Sequence, residues 1–479
     1  MPENYPLMIP GATTRGKPLA VRAPYDGRHI ATCETADAAA IEQALATAYA
    51  LYENQDGWLP LPERLAVLER LVEIMKSRVD ALALEAAREG GKPLMDSKVE
   101  AVRAVDSIRI CIETMRTEAG KVIPMNVSVA SKNRLAFTQK EPIGVVVALS
   151  AFNHPLNLIA HQVAPAVAAG CPVLVKPASD TPLSCLRFVE MLREAGLPEE
   201  WCQGAVCESH AVAEKMYGDP RVAFVTFIGS AEVGWAMQRK LAPGTRYALE
   251  HGGVAPVIVA ADTDLDDALP LITKGGFYHA GQVCVSVQRV YVHESIAQEF
   301  ANRLVERAKK LRVGDPILPD TEVGPLIRTS EVMRVHEWVT EAKKSGGKIL
   351  CGGEKIGETC YACTVIYDPP DSVRVSRDEV FGPVVCVYPY RELDDAIRRA
   401  NGVPYAFQAA VFTRDLDTAL RCYSRIKASA VMVNDHTAFR VDWMPFAGYK
   451  HAGFGIGGIP FTLHDMLVEK MMVVRSKEL

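Results

Sequence analysis

The chain has no surplus of positive charge: 53 lysines and arginines stand against 58 aspartates and glutamates, for a formal net charge of -5. It therefore lacks the basic footprint of a nucleic-acid binder, and no nucleic-acid partner is expected. No apolar run approaches the roughly 18 to 20 uncharged residues needed to cross a bilayer, so no membrane partner is expected either. The opening Met1-Pro2-Glu3-Asn4-Tyr5 lacks the basic and apolar regions of a signal peptide, which makes a cytoplasmic location the expectation. Regular cysteine spacing is missing too. The twelve cysteines are scattered, which in a long chain argues for thiols over a disulfide framework. Cys360 and Cys363 form the only C-x-x-C, and without a second pair at zinc-site spacing no metal is expected.

What is present is length and pattern. At 479 residues the chain is too long for one core, so two or three domains are expected. Its 49% hydrophobic and 23% charged content is ordinary for a globular protein. After an extended entry over 1–34, apolar periodicity predicts helices from Ala36 to about Leu51, from Pro62 to Val79, and from Ser97 to Thr117. The third would line Val99, Val102, Val105, Ile108, Ile112 and Met115 along one stripe, with Arg103 at its flank, where a solvated charge is the simple reading. Residues 122–140 read as a hairpin, with Pro124 near an edge.

From Ile143 strands and helices alternate. Strands are expected at Gly144–Leu149, Val173–Val175, Val222–Phe227 and Tyr247–Leu249, and helices at Leu156–Ala169, Pro182–Ala195 and Ala231–Leu241. The pattern predicts an α/β fold with a mostly parallel sheet covered on both faces, and in such sheets ligands sit at the carboxyl ends of the strands. Those ends carry Asn153, Lys176-Pro177-Ala178-Ser179 and Gly229-Ser230. Gly229-Ser230 runs from a strand straight into a helix, where free N–H groups and the helix dipole suit a phosphate. The turn lacks the G-x-G-x-x-G fingerprint, so a plain capped helix start stays open, as does a surface role for Lys176. A helix from Ala268 to Ala280 and a strand from Val287 to Val292 flank Gly281-Gln282-Val283-Cys284-Val285-Ser286. There Cys284 is either a loop thiol facing a cleft or a buried small hydrophobe.

Eight pieces in one order carry a resemblance: Glu141-Pro142-Ile143-Gly144-Val145, Phe152-Asn153-His154-Pro155, Lys176-Pro177-Ala178, Phe227-Ile228-Gly229-Ser230, Glu250-His251-Gly252-Gly253, Gly281-Gln282-Val283-Cys284, Glu379-Val380-Phe381-Gly382-Pro383 and Pro445-Phe446-Ala447-Gly448. The chain resembles the aldehyde dehydrogenase superfamily of NAD(P)-dependent enzymes over nearly its whole length. The resemblance implies that fold, with a Rossmann-like cofactor domain from 1–121 and 141–252, an α/β catalytic domain from 253–451, and a small β oligomerisation element from 122–140 and 459–479. A homodimer or homotetramer is implied. So is a cofactor, NAD or NADP.

By the same resemblance Cys284 is the nucleophile, Asn153 with the Cys284 N–H holds the oxyanion, and Glu250 activates the hydrolytic water. Lys176, Gly229, Ser230, Glu379 and Phe381 are implied as cofactor residues. Ser179 stands where relatives strict for NAD place a glutamate that repels a 2′-phosphate, although neighbouring Asp180 is available to restore some repulsion. The stretch Asn434 to Phe446 and the Gln-Val-Cys loop look like the lactaldehyde and phosphonoacetaldehyde dehydrogenase-like branch, whose substrates are small aldehydes with anionic or hydroxylated tails. Arg440 and Arg103 are candidates to hold a carboxylate, phosphonate or phosphate, with His154 and Tyr278 as possible lining. Some phosphate-using relatives carry an arginine immediately before the nucleophile. Here that residue is Val283, which favours lactaldehyde-like or semialdehyde substrates over phosphonoacetaldehyde or glyceraldehyde 3-phosphate. A CoA-acylating relative is the further alternative, and Glu250 argues against it. Departures from the family pattern are His251 and Val254 for the usual leucine and lysine, and Ile456-Gly457 for Arg-Glu. Neither is expected to touch a catalytic atom.

Overall fold

Three sheets organise the computed structural model, which describes residues 3–479. The first has six strands in the order Gly453–Phe454, Arg246–Glu250, Val222–Ile228, Val145–Leu149, Val173–Lys176 and Cys202–Gly204. All pair in parallel except Gly453–Phe454. The chain starts at Val145–Leu149, builds outward to Cys202–Gly204, then returns to the other side at Val222–Ile228. That reversal opens a crevice at the carboxyl ends of the two central strands, where such sheets bind ligands.

The Val145–Leu149 strand is buried on both faces, and the helix Asn157–Ala169 has no exposed residue along its length. It packs between the sheet and the long helix Leu94–Thr117. Gly170 ends it in the left-handed conformation, φ 85°, a common way for a helix to stop.

The second sheet has seven strands, in the order Lys348–Cys351, Thr364–Tyr367, Val384–Tyr390, Val287–His293, Ala255–Val259, Gln408–Phe412 and Ala430–Val433. Only the Lys348–Cys351 edge runs antiparallel. The third sheet pairs Val122–Ile123, Arg134–Pro142 and Leu467–Arg475 antiparallel. The expected hairpin is thus lopsided. Its first strand is two residues long and ends just before Pro124, while its second extends over nine and takes the carboxyl-terminal strand as partner.

Two expectations about helices need correction. The third helix begins at Leu94, and a separate helix, Val79–Gly90, precedes it. Its buried stripe is Ala101, Ala104, Val105, Ile108, Cys111, Ile112 and Met115. Val99 and Val102 are 58% and 49% exposed, because the inward positions of that first stretch go instead to Ser97 and Glu100. The helix before Cys284 spans Leu265–Phe277 and ends three residues before Ala280. His279, Ala280 and Gly281 then turn left-handed, with φ of 48°, 53° and 70°, which swings the following loop away from the helix axis.

Candidate active site

The loop carrying Cys284 is fixed from several directions. Gln282 is buried; its side-chain amide donates to the His279 and Pro325 carbonyls at 3.3 and 3.2 Å, and its oxygen accepts from the Ile327 N–H at 2.9 Å. The Gly253 N–H donates to the Cys284 carbonyl at 3.1 Å. Thr437 Oγ1 donates to the Val285 carbonyl at 2.7 Å. Gly281 presses against the Gly382 backbone, where an added Cβ would lie 2.1 Å from the carbonyl oxygen, so the nucleophile loop and the Glu379–Pro383 loop are in direct contact. Sequence reasoning assigned Gln282 no role; its signal is a polar residue between Gly281 and Val283 that must bury both ends of its amide.

Cys284 is half-buried. Burial pushes its thiol up to about 12, the Arg440 charge pulling the other way while Glu379 and Glu250 push further up. Among the described residues its N–H meets no group beyond its own thiol. Asn153 is buried, and its Nδ2 donates to the Gln282 carbonyl at 2.9 Å. That bond fixes the amide and spends one of its two N–H donors.

Glu250 ends the strand Arg246–Glu250, and its carbonyl accepts from the Gly229 N–H at 3.1 Å. Burial raises its carboxyl above the usual range, with Arg440 opposing. Here one departure from the family pattern acquires a place. A Cβ on residue 457 would sit 2.2 Å from Glu250 Oε1, so Gly457 does touch a candidate catalytic atom, against the sequence-based expectation. The closing segment itself docks through reciprocal Phe446–Gly457 backbone bonds of 3.0 and 2.7 Å. The other departure, His251, donates Nδ1–H to the Gly229 carbonyl at 3.0 Å and packs between Phe227 and Trp235. Burial lowers it to about 4, and the neutral ring holds the turn at the Gly229 carbonyl.

The cofactor candidates surround the crevice of the first sheet. Ser230 makes no side-chain cap at the start of the helix Ala231–Gln238, so its first N–H groups are not satisfied by that hydroxyl. Glu379 lies against Gly252, where a Cβ would be 1.5 Å from Oε1, and that oxygen is enclosed without a partner. Burial raises its carboxyl to about 8, with Arg334 opposing. An enclosed, unpartnered carboxyl oxygen fits a hydroxyl donor such as a ribose. Phe381, φ 46°, meets Phe152 edge-on at 5.8 Å. Lys176 sits at its strand end with Nζ donating to the Pro177 carbonyl at 3.1 Å, and burial lowers it. Ser179 is exposed, and Asp180 is held by Arg328, whose Nε donates to both carboxylate oxygens at 3.0 Å. The repulsion considered for Asp180 is thus neutralised by Arg328.

The two arginines converge on one carboxylate. Arg103 Nε and Nη2 donate to Asp442 at 3.1 and 2.6 Å. His161 Nε2 donates to Asp442 Oδ1 at 2.8 Å, and Arg440 Nη2 lies 3.4 Å from His161 Nδ1. Arg440 Nε is 3.9 Å from the same carboxylate, too far for a hydrogen bond, and is enclosed without a partner. Its guanidinium stacks 3.6 Å above Phe446. Burial opposes ionisation of Asp442, but His161 and Arg103 outweigh it and hold the carboxyl far below the usual range. The simple reading of Arg103 as a solvated charge therefore does not hold. His154 Nε2 meets the Tyr278 hydroxyl at 3.2 Å, and burial with nearby Lys92 holds its ring neutral. Asp442 and His161 went unread in the sequence. A signal existed for His161: with Asn157 it places two polar side chains at i, i+4 on one face of a helix whose only other polar residue is Gln162.

Similarity to known proteins agrees with this geometry. The chain is 39% identical to the 3-sulfolactaldehyde dehydrogenase of Priestia aryabhattai, over 86% of each chain. Among solved structures, aldehyde dehydrogenase 21 from Physcomitrella patens, in complex with the reaction product succinate, superposes with a TM-score of 0.95 at 36% identity, covering 99% of each chain. The NADP complex of glyceraldehyde-3-phosphate dehydrogenase from Methanocaldococcus jannaschii reaches 0.91 at 31% identity, covering 97% of this chain and 100% of that one. The model of the aldehyde dehydrogenase family matches residues 12–472, and with a thiol, a carboxylate and a cofactor crevice arranged as above, the chain belongs to that family of NAD(P)-dependent oxidoreductases.

Proposed function

We propose that the protein oxidises a small aldehyde with an anionic or hydroxylated tail, lactaldehyde-like or a semialdehyde, to its carboxylic acid. The observation that carries this reading is the Arg103–Asp442–Arg440 array whose inner guanidinium acts on both Cys284 and Glu250. The succinate bound by one relative and the sulfolactaldehyde activity named for another support an acidic tail.

Cys284 Sγ, its proton lost to solvent, forms the bond to the aldehyde carbon as the carbonyl π pair moves onto oxygen, and the oxygen that becomes negative is met by the Asn153 amide and the Cys284 N–H. Bound NAD or NADP supplies the hydride acceptor; Lys176, Ser179, Gly229, Ser230, Glu379 and Phe381 are the residues that would hold it. Loss of hydride from the thiohemiacetal leaves a thioester on Cys284. Glu250 then takes a proton from water as the water oxygen attacks, the C–S bond breaks and Cys284 is free again. With Ser179 exposed and Asp180 tied to Arg328, no free carboxylate stands at that position to reject a 2′-phosphate. Residues 1–121 with 141–252 serve as the cofactor domain and 253–451 as the catalytic domain. Residues 122–140 and 459–479 assemble copies into a homodimer or homotetramer.

Absorbance of reduced cofactor, followed with a panel of aldehydes and both nucleotides, tests the reading. Cys284→Ala should abolish turnover. Arg440→Ala should raise KM for anionic aldehydes roughly ten- to hundredfold, the worth of a charge-assisted hydrogen bond. An unchanged KM would remove the substrate argument.

A further inference from the structure

Two neighbouring guanidiniums, one of them acting on the nucleophile, suggest a pocket for a doubly charged tail, yet the charges do not sum that way. Arg103 and Arg440 bring two positive charges. Asp442 returns one negative charge, and His161 adds none: its Nε2–H donates to Asp442, leaving Nδ1 bare to face Arg440. The neighbouring cations are already matched. Lys92 is paired with Glu100 at 2.8 Å, both side chains fully enclosed, and Lys274 with Asp96 at 2.6 Å. The residue before the nucleophile, Val283, lies in an apolar cluster with Val285, Phe407 and Phe446 and contributes no third cation.

Asp442 is also not free to move aside. It is buried, grips Arg103 through two bonds, accepts from His161, and has Asn157 Nδ2 at 3.5 Å. Its partners come from the helices Leu94–Thr117 and Asn157–Ala169, and the Ile459 N–H donates to its carbonyl at 2.9 Å. Arg440, by contrast, makes no hydrogen bond to a carboxylate among the described residues: Nη2 faces His161 Nδ1 and Nε is enclosed without a partner, so Asp442 is committed to Arg103 and not to Arg440.

We propose that Asp442 sets the charge this pocket accepts: by neutralising Arg103 it leaves a net charge of one, matched to a singly charged carboxylate or sulfonate tail and ill-matched to a phosphate or phosphonate. Asp442 is a positioning residue, acting through the two arginines. The inference rests on the reading that an anionic tail enters this pocket. A dianion would bring one negative charge more than the array can balance, and would meet the Asp442 carboxylate behind Arg103. In a water-poor pocket an unbalanced charge at a few ångströms changes binding by tenfold or more. Glu250, which also acts on the Arg440 charge, and the bound nucleotide are the same in wild type and variant, so their contributions cancel when the dianion-to-monoanion ratio is compared between the two proteins.

The test compares wild type with Asp442→Asn, which keeps an oxygen acceptor for Arg103 and removes the charge. Substrates are succinic semialdehyde as monoanion, glyceraldehyde 3-phosphate as dianion at pH 8, and butyraldehyde as neutral reference. Each kcat/KM for an anion is divided by that for butyraldehyde, which takes out any general damage. The dianion-to-monoanion ratio is expected to rise at least about tenfold in Asp442→Asn. A merely structural role would lower all three substrates together and leave that ratio unmoved, and this result overturns the proposal. If wild type prefers neither anion over butyraldehyde, the anionic-tail reading falls instead, so the two failures are distinct. Should Asp442→Asn not fold, Arg103→Gln with Asp442→Asn carries the test. Removing both partners restores the single net charge, and the double variant is expected to keep the wild-type ratio while Arg103→Gln alone loses at least about tenfold on the monoanion relative to butyraldehyde. An unchanged monoanion value in Arg103→Gln overturns the proposal.

Discussion

At the scale of single residues the site is a set of groups held away from their solution states by burial. The thiol of Cys284 at about 12 is neutral near pH 7, so reactivity must be raised by what binds beside it. Glu250 works as a base only when ionised, and burial lifts its carboxyl above the usual range of about 4.3. Protonation therefore removes the base as pH falls through that raised value. Where thioester hydrolysis limits turnover, the acid limb of kcat should lie above the ordinary carboxylate range, and Glu250→Gln should give one burst of reduced cofactor per site with little steady-state turnover. An acid limb below about 4.3 would contradict the assignment. Gly457→Ala probes the same carboxylate sterically, since the new methyl would lie 2.2 Å from Oε1 and displace it. Steady-state kcat should fall roughly ten- to hundredfold with the burst retained, as a displacement of about 1 Å from productive geometry costs; loss of burst and turnover together would point to the nucleophile loop instead. Cys284, Glu250 and Asn153 could be singled out in the sequence because each sits in a contiguous motif. Gly457 was visible only as a departure, because its meaning lies in a contact with a residue more than two hundred positions away. Asp442 was illegible for the same reason, and His161 offered only its polar spacing with Asn157, not its partner.

At the scale of elements, apolar periodicity located most helices and strands but could not see polar groups turned inward. Glu100 is the instructive case. One oxygen pairs with Lys92 at 2.8 Å; the other accepts the N–H groups of Leu156 and Asn157 at 2.9 and 3.0 Å. That carboxylate ties the helix Leu94–Thr117, which carries Arg103, to the start of the helix that carries His161. A stripe counted on valines instead placed Val99 and Val102 inward, where the structure has Ser97 and Glu100. Glu100→Gln leaves the enclosed Lys92 ammonium without its counter-charge, and breaking such a pair from one side costs about 3–5 kcal/mol. A marked fall in apparent Tm is expected. The double variant Lys92→Met with Glu100→Gln should recover part of it, since no buried charge is then left alone. If the single variant melts like wild type, the pair does not hold these helices together.

At the scale of the whole molecule, the alternation of strands and helices made the parallel sheet legible, and the strand-order reversal placed its crevice. Local pattern in the third sheet showed only the short hairpin; its long partner strand, more than three hundred residues further along the chain, was joined to it only through the family resemblance, and the structure pairs the two. That partner, Leu467–Arg475, is now an edge: it pairs with Arg134–Pro142 on one side and with nothing among the described residues on the other. Met471, Met472 and Val473 are 56%, 56% and 47% exposed. A nine-residue edge strand whose charges, Glu469, Lys470 and Arg475, flank an uncharged run from Met471 to Val474 invites pairing with another chain, and a second copy supplies such a chain at equal concentration. Light scattering should therefore report a dimer or tetramer for wild type. Met471→Glu with Val473→Glu, two carboxylates on one face of the strand, should lower the mass toward that of one chain. Every site residue named above belongs to a single chain, so the burst amplitude per chain is expected to survive the dissociation. An unchanged mass in the double variant, or a monomeric wild type, would refute the assignment of this strand to assembly.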